Sequence, residues 1–286
     1  MKTTDKNCVK VNKKHIKNPV SQTIIHIILI LSLLMVIYPL FMMLIGSFKS
    51  GTVYNTNKWH ITFPLRISNF NVAFNATSKY LLNTIIVAVI GISGMIFISS
   101  MASFSISKLK FIGSKFCFSL VLVITMLPGV LSLTPQLILY KTLGLQNSLF
   151  ALILPMWTGG CVWGVFLLTS YYSGIPDEIF EAADLDGAND FQKYILVALP
   201  LSLPIIATLV IMQINGVWND FLWPKLILKP ENYTIASGLA FQFEAASVSQ
   251  TVKYAGYVIA SIPVVVMFIF FNKFYIEGLV GASVKL

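Results

Sequence analysis

Pro176-Asp177-Glu178-Ile179-Phe180-Glu181-Ala182-Ala183-Asp184-Leu185-Asp186-Gly187-Ala188-Asn189-Asp190-Phe191 carries six of the eleven acids in a 286-residue chain. Long windows without any Asp, Glu, Lys or Arg stand on both sides of it. Each Asp at the centre of a bilayer costs about 2.5 to 3.5 kcal/mol, so this run is excluded from lipid and belongs in water or against a protein. Pro176 suits the first position of a helix, and Asp177 and Glu178 favour its positive N-terminal end. A short helix through Asp184 or Leu185 is therefore expected. Gly187 can take positive φ and end it, after which Asn189 or Asp190 caps a following helix. Ala182 and Ala183 keep one face thin, while Ile179, Phe180 and Leu185 offer apolar anchors for a partner's groove.

Outside this run the chain is built for a membrane. It is 56% hydrophobic and only 11% charged, against about 25% charged residues in an ordinary soluble domain. Charge-free windows fall at 18–48, 80–107, 116–140, 142–176, 194–219 and 254–272. A spanning helix needs roughly 20 apolar residues, so each window holds one crossing. The expected helices are 24–45, 81–104, 116–138, 149–170, 195–217 and 255–274. An all-α membrane protein with six transmembrane helices and both termini on one side follows.

The formal net charge is +9, yet its bases lie between apolar runs and do not gather in one patch, which argues against nucleic-acid binding and for a membrane surface. Six lysines precede the first helix, and Lys108, Lys110 and Lys115 crowd the second connection. The positive-inside rule then puts both termini in the cytoplasm, although Lys49, Lys58, Arg66 and Lys79 weaken the bias. The first apolar run is too long for a signal-peptide core and no small-residue cleavage pattern follows it. Pro39, Pro128, Pro135, Pro155, Pro200, Pro204 and Pro263 interrupt the spans, so kinks are expected. Cys8, Cys117 and Cys161 have neither disulfide nor zinc spacing and read as small hydrophobes. His15, His26 and His60 are scattered and form no ligand set.

The acidic run also has a spacing. Glu181-Ala182-Ala183, three residues, Gly187, nine residues, then Val197-x-Leu199-Pro200 resembles the EAA loop of ABC importer permeases. Further stretches resemble the maltose-type, sugar-importing branch: Tyr38-Pro39-Leu40 with Ser47-Phe48-Lys49, Phe63-Pro64 and Asn69-Phe70, Asn83-Thr84, Leu143-Gly144-Leu145 with Asn147-Ser148. Trp218-Asn219-Asp220-Phe221-Leu222-Trp223-Pro224 and the ending from Glu277-Gly278-Leu279 through Gly281-Ala282 to Val284-Lys285 complete the likeness.

The resemblance implies a type I importer permease (MetI-like) fold. Its parts would be a cytoplasmic N-terminal segment (1–23), a transmembrane domain (24–274) with the EAA loop at 177–200 and an outer loop at 219–253, and a cytoplasmic tail (275–286). It implies a bacterial cytoplasmic membrane, a second permease subunit, two copies of an ABC ATPase and an extracytoplasmic sugar-binding protein. The loop would then be the coupling helix, in which Glu181 hydrogen-bonds the ATPase cleft, Ala182 and Ala183 allow close approach, Asp184 lies beside them and Gly187 makes the turn. The chain lacks a Walker A pattern, since Gly113-Ser114-Lys115 has no upstream glycine, so it is expected to bind no cofactor. ATP and Mg2+ would belong to the ATPase, and this chain would not be an enzyme.

Weaker candidates line up with that implication. Gln213 and Asn215 in the fifth helix need partners or water, and either line a sugar path or bond between helices. Trp157 and Trp163 either stack on a sugar or pack. Gly160-x-x-x-Gly164 lets another helix approach, the second permease being one candidate. Trp218 to Pro224 also suits an interfacial aromatic belt. In relatives the outer loop contacts the binding protein, for which Phe241, Glu244 and Gln250 are the candidates here. An ion-coupled carrier would place charges within its spans, and none stands there. A membrane-embedded enzyme would need a nucleophile, base or metal constellation, which scattered His and lone Cys do not supply. The same frame also serves polyols and glycerol-phosphate-type solutes.

Overall fold

The computed structural model describes residues 19–283, with side chains from 20 to 270. Cys8, His15, the N-terminal lysines, the last three residues and the side chains of the C-terminal motif lie outside the described part. Helix α1 (Pro19–Ser47) is followed by a short α2 (Gly51–Thr56) and by α3 (Ser68–Leu109), whose last turn is π-helical. Next come α4 (Ser114–Thr125), α5 (Leu133–Thr142) and α6 (Phe150–Ser173). The acidic run forms α7 (Asp177–Leu185) and the start of α8 (Asp190–Leu201), and α9 (Leu203–Asn219), α10 (Leu222–Ile227) and α11 (Gln250–Ser283) complete the chain. The described residues contain no strand.

Four helices, beginning at Val20, Ser68, Phe150 and Gln250, are long and apolar enough to cross a membrane, and two bent pairs raise the number to six if each pair is one span. The third expected span, 116–138, is not a straight helix. It breaks by 90° between Thr125 and Gly129, where Pro128 withholds a backbone donor and disfavours helix at Leu127. The twelve residues of α4 extend only about 18 Å, well short of a crossing. The fifth span bends by 71° at Ser202, between Pro200 and Pro204.

Helix α3 organises everything else. Its 42 residues extend about 60 Å, roughly twice the hydrocarbon thickness, so it reaches both ends of the bundle. Small side chains on one face admit α6: Ser99 and Ser103 are fully buried, and Ser103 Oγ donates to the Val165 carbonyl at 3.1 Å. A Cβ added at Gly164 would stand 2.8 Å from Ser99 Oγ. The glycine pair on α6 therefore meets α3 of the same chain, and that face is not available to a second permease. Close backbone approach through small residues is the usual means of packing helices where lipid supplies no hydrophobic drive. By contrast α1 rides on the outside, with its apolar side chains from Val20 to Leu44 largely exposed.

Sequence pieces far apart close the end of the bundle opposite the acidic run. Asn69 Nδ2 donates to the Ser47 and Lys49 carbonyls, each at 2.8 Å, while Phe48 and Phe70 pack 4.9 Å apart. Asn83 donates to the carbonyls of Asn232 and Tyr233, Thr84 Oγ1 accepts from the Ile235 N–H, and Asn147 Oδ1 accepts from Lys229 and Asn232. The outer loop is consequently not a projecting strand of chain. Tyr233, Ile235, Leu239 and Phe243 are buried, and the segment folds down as a cap on α3 and α11.

Candidate functional site

The acidic run folds as a helix, a turn and a helix. Asp177 begins α7 one residue after Pro176, Gly187 has φ +80°, and Asn189 caps α8 in a reciprocal box with Gln192. The turn at Gly187 and the cap at Asn189, rather than Asp190, are as expected, whereas Pro176 stands one residue before the helix, at its N-cap, and not at its first position.

One anchor lies on the other face. Phe180 is 7% exposed and turns inward, between Phe104 at 6.0 Å and the Lys108 ammonium at 5.0 Å. It ties α7 to the bundle and is not offered to a partner. Asp177 accepts from Lys108 at 2.6 Å and from Lys110 at 2.9 Å. Those hydrogen bonds and charges hold its carboxyl well below the usual range, at about 2. Lys193 on α8 bridges Asp184 and Asp190, each at 2.7 Å. Asp184 thus locks the loop internally.

What remains free is informative. Glu181 is exposed, lines a cleft of about 170 Å3 beside Phe180 and Lys193, and its carboxylate makes no hydrogen bond among the described residues. Leu185 is 90% exposed and Phe191 58% exposed, with Ile179, Ala182 and Gly187 also at the surface. This is a rigid ledge with an unpaired carboxylate and bare apolar side chains. Sequence reading missed the clamp from Lys108, Lys110 and Lys193. Its visible signal was the lysines at the α3–α4 connection, Lys108 and Lys110, and the lysine just after the acids, Lys193.

At the opposite end a cavity of about 200 Å3 lies between α6 and α9, lined by Val87, Met156, Gln213, Asp220, Trp223 and Thr234 among others. Asp220 Oδ1 accepts from the N–H groups of Leu222 and Trp223, each at 3.1 Å, so the family-like stretch caps α10. Burial pushes its carboxyl up against the lowering effect of those bonds. Gln213 faces this cavity without a side-chain partner, but Asn215 and Trp157 do not line it. Asn215 accepts from Asn219 on an exposed face of α9. Trp157 Nε1 donates to the Ile90 and Gly91 carbonyls at 3.2 and 3.1 Å, and its ring fills the space over Gly94. Trp157 packs two helices together and is corrected as a sugar-stacking candidate. Trp218 Nε1 donates to the Ala260 carbonyl, a helix contact as well.

The outer-loop candidates are likewise engaged. Phe241 lies 4.5 Å under the Lys225 ammonium and next to Tyr233 and Phe221. Glu244 accepts from Lys253 at 2.9 Å and from the Tyr257 hydroxyl, which together lower its pKa. Gln250 begins α11 and is exposed. Among the described residues no group of three His, Cys, Asp or Glu could hold a metal ion.

The described residues form an all-helical bundle of the integral-membrane class, with polar segments interlocked at one end and an acidic ledge at the other. Residues 94–277 match the family described as binding-protein-dependent transport system inner membrane component, and the chain belongs to that family. It is 31% identical over 268 residues to the probable ABC transporter permease protein YurM of Bacillus subtilis, covering 93% of this chain and 89% of the relative. The maltodextrin transport system permease protein MalD of Streptococcus pneumoniae is 27% identical, covering 96% and 99%. The arabinooligosaccharides transport system permease protein AraQ of Halalkalibacterium halodurans is 30% identical, covering 87% and 91%. A solved chain from a bacterial ABC transporter that imports the acidic polysaccharide alginate superposes with a TM-score of 0.78 at 22% identity, covering 89% of this chain and 96% of that one, which shows a shared fold.

Proposed function

We propose that this chain is one of two permease subunits of an ATP-driven importer that moves an oligosaccharide or related sugar into the cytoplasm. Relatives named for maltodextrin, arabinooligosaccharides and polygalacturonan share nearly its full length, which supports the sugar class. Each bent pair counts as one span, giving six, with the acidic ledge, the 110–115 turn and both termini cytoplasmic. A second permease subunit, two ATPase subunits carrying ATP and Mg2+, and an extracytoplasmic binding protein complete the assembly.

The observation that carries the mechanism is the exposed apolar pair Leu185 and Phe191 beside the unpaired Glu181, on a ledge whose other face is locked to α3 and α8. Bare apolar side chains on a water-facing helix call for a partner's groove. In the assembly α7 is the coupling helix. ATPase closure displaces α7, and Phe180, Asp177 and Lys193 pass the displacement to α3 and α8 as one rigid body. Access switches because packed helices move between discrete arrangements instead of deforming.

Glu181→Lys tests this reading. It leaves membrane insertion and recovery of the second permease unchanged, but weakens ATPase retention on affinity purification and abolishes uptake of the transported sugar. Normal ATPase retention and uptake in that variant would overturn the coupling role. Purification of the tagged chain without any ATPase, in conditions that keep known importers whole, would overturn the importer reading itself.

A further inference from the structure

Between the end of α3, the start of α4 and the end of α6 opens a cavity of about 670 Å3 that the transport mechanism does not use. Lys110 and Lys115 stand on its lining, and no Asp or Glu does. Phe111 and Phe118 supply apolar wall, and Ile112 and Phe116, next to lining residues in the sequence, are exposed, the latter 67%. Thr169 also lines it and is 4% exposed, yet its Oγ1 is the one buried side-chain polar atom among the described residues without a hydrogen-bond partner. A threonine in a helix ordinarily bonds the carbonyl four residues back. Here that carbonyl, Val165, already accepts from Ser103 Oγ.

We infer that this cleft is a binding site for an anionic phospholipid, its phosphate between Lys110 and Lys115 and an acyl chain along Phe111 and Phe118. Basic pockets between spans at the membrane surface recognise anionic headgroups in this way. Lys110 can turn to the phosphate without releasing α7, because Asp177 keeps Lys108, whose side chain is only 5% exposed against 65% for Lys110. The apolar wall and these exposed neighbours favour a lipid over a free anion, since aliphatic and aromatic side chains at headgroup level enter the acyl boundary. The site depends on membrane embedding alone and stands whether or not α7 couples to an ATPase.

The test uses the purified, intact transporter in nanodiscs of equal parts phosphatidylglycerol and phosphatidylcholine, with retained lipids counted by native mass spectrometry. Phosphatidylglycerol is expected to be retained over phosphatidylcholine. Lys115→Gln should lower that retention about fivefold, as expected for loss of one lysine near a phosphate, while Lys79→Gln, an exposed lysine at the far end of α3, should leave it unchanged. Added inorganic phosphate should not displace the lipid. Equal retention of the two lipids, unchanged retention in Lys115→Gln, or displacement by inorganic phosphate would each overturn the assignment, the last in favour of a soluble-anion site.

Discussion

Removing the Phe180 ring should detach α7 from the bundle without unfolding the bundle. The side chain is 7% exposed and packs on Phe104, Tyr194 and Lys108. Truncating a buried phenylalanine costs about 3 to 5 kcal/mol. A cleft of about 170 Å3 already borders this ring, so neighbours can partly collapse, and about 3 kcal/mol is the appropriate figure. That corresponds to a local opening constant raised about 150-fold. Hydrogen exchange followed by mass spectrometry on the permease complex freed of its ATPase reads it directly. In Phe180→Ala, amides across α7 lose about two orders of magnitude of protection, while amides of α3 and α6 keep theirs. Leu185→Ala removes a side chain that is 90% exposed and should leave α7 protection as in the parent chain in the absence of ATPase. Unchanged protection of α7 in Phe180→Ala would refute the view that this ring holds the ledge.

Three further outcomes follow from the same geometry. Gly187 sits at φ +80° with nothing near a built Cβ, so Gly187→Ala costs about 1 to 2 kcal/mol through backbone conformation alone, and Gly187→Asn costs less, as thermal melts of the complex would register. The Asp177 carboxyl falls from an ordinary 3.8 to about 2 because Lys108 and Lys110 hydrogen-bond it; its contribution is therefore complete above about pH 4 and is lost as the pH falls through 2. The protection of α7 amides relative to unstructured peptide at the same pH should hold at pH 4 and fall toward pH 2, and Asp177→Asn should remove that fall. Gln213→Ala should alter half-saturating sugar concentration for uptake with the complex equally stable, since its amide faces a cavity and bonds nothing among the described residues; a fall in stability with unchanged uptake parameters would assign it to packing.

The helix breaks show how far a one-dimensional reading reaches. Counting charges located every apolar segment, and the prolines marked where kinks were possible, but the 90° turn after Thr125 and the 71° turn at Ser202 were not readable. A proline removes one backbone bond, and the bend it permits is set by what packs alongside. The same limit explains Trp157. An indole within an apolar window suits a sugar or a neighbouring helix equally, and only the position of Gly91 and Gly94 on α3 decides for the helix. A series of small residues at four-residue spacing, Ser99, Ser103 and Ser107, was the signal for where α6 would dock.

Sequence by itself determined which segments prefer lipid, that the run 176–191 is barred from it, where α7 ends, and what family the loop resembles. These depend on transfer free energies and backbone preferences, which each residue carries into any context. Tertiary structure alone decided that Phe180 turns inward, that Asp184 answers to Lys193, that Asn69, Asn83 and Asn147 fasten segments 20 to 150 residues away, and that Gly164 serves the chain's own α3. Within a membrane a polar side chain or a small one is satisfied only by whatever helix lies opposite, and that neighbour is chosen by the packing of the whole bundle.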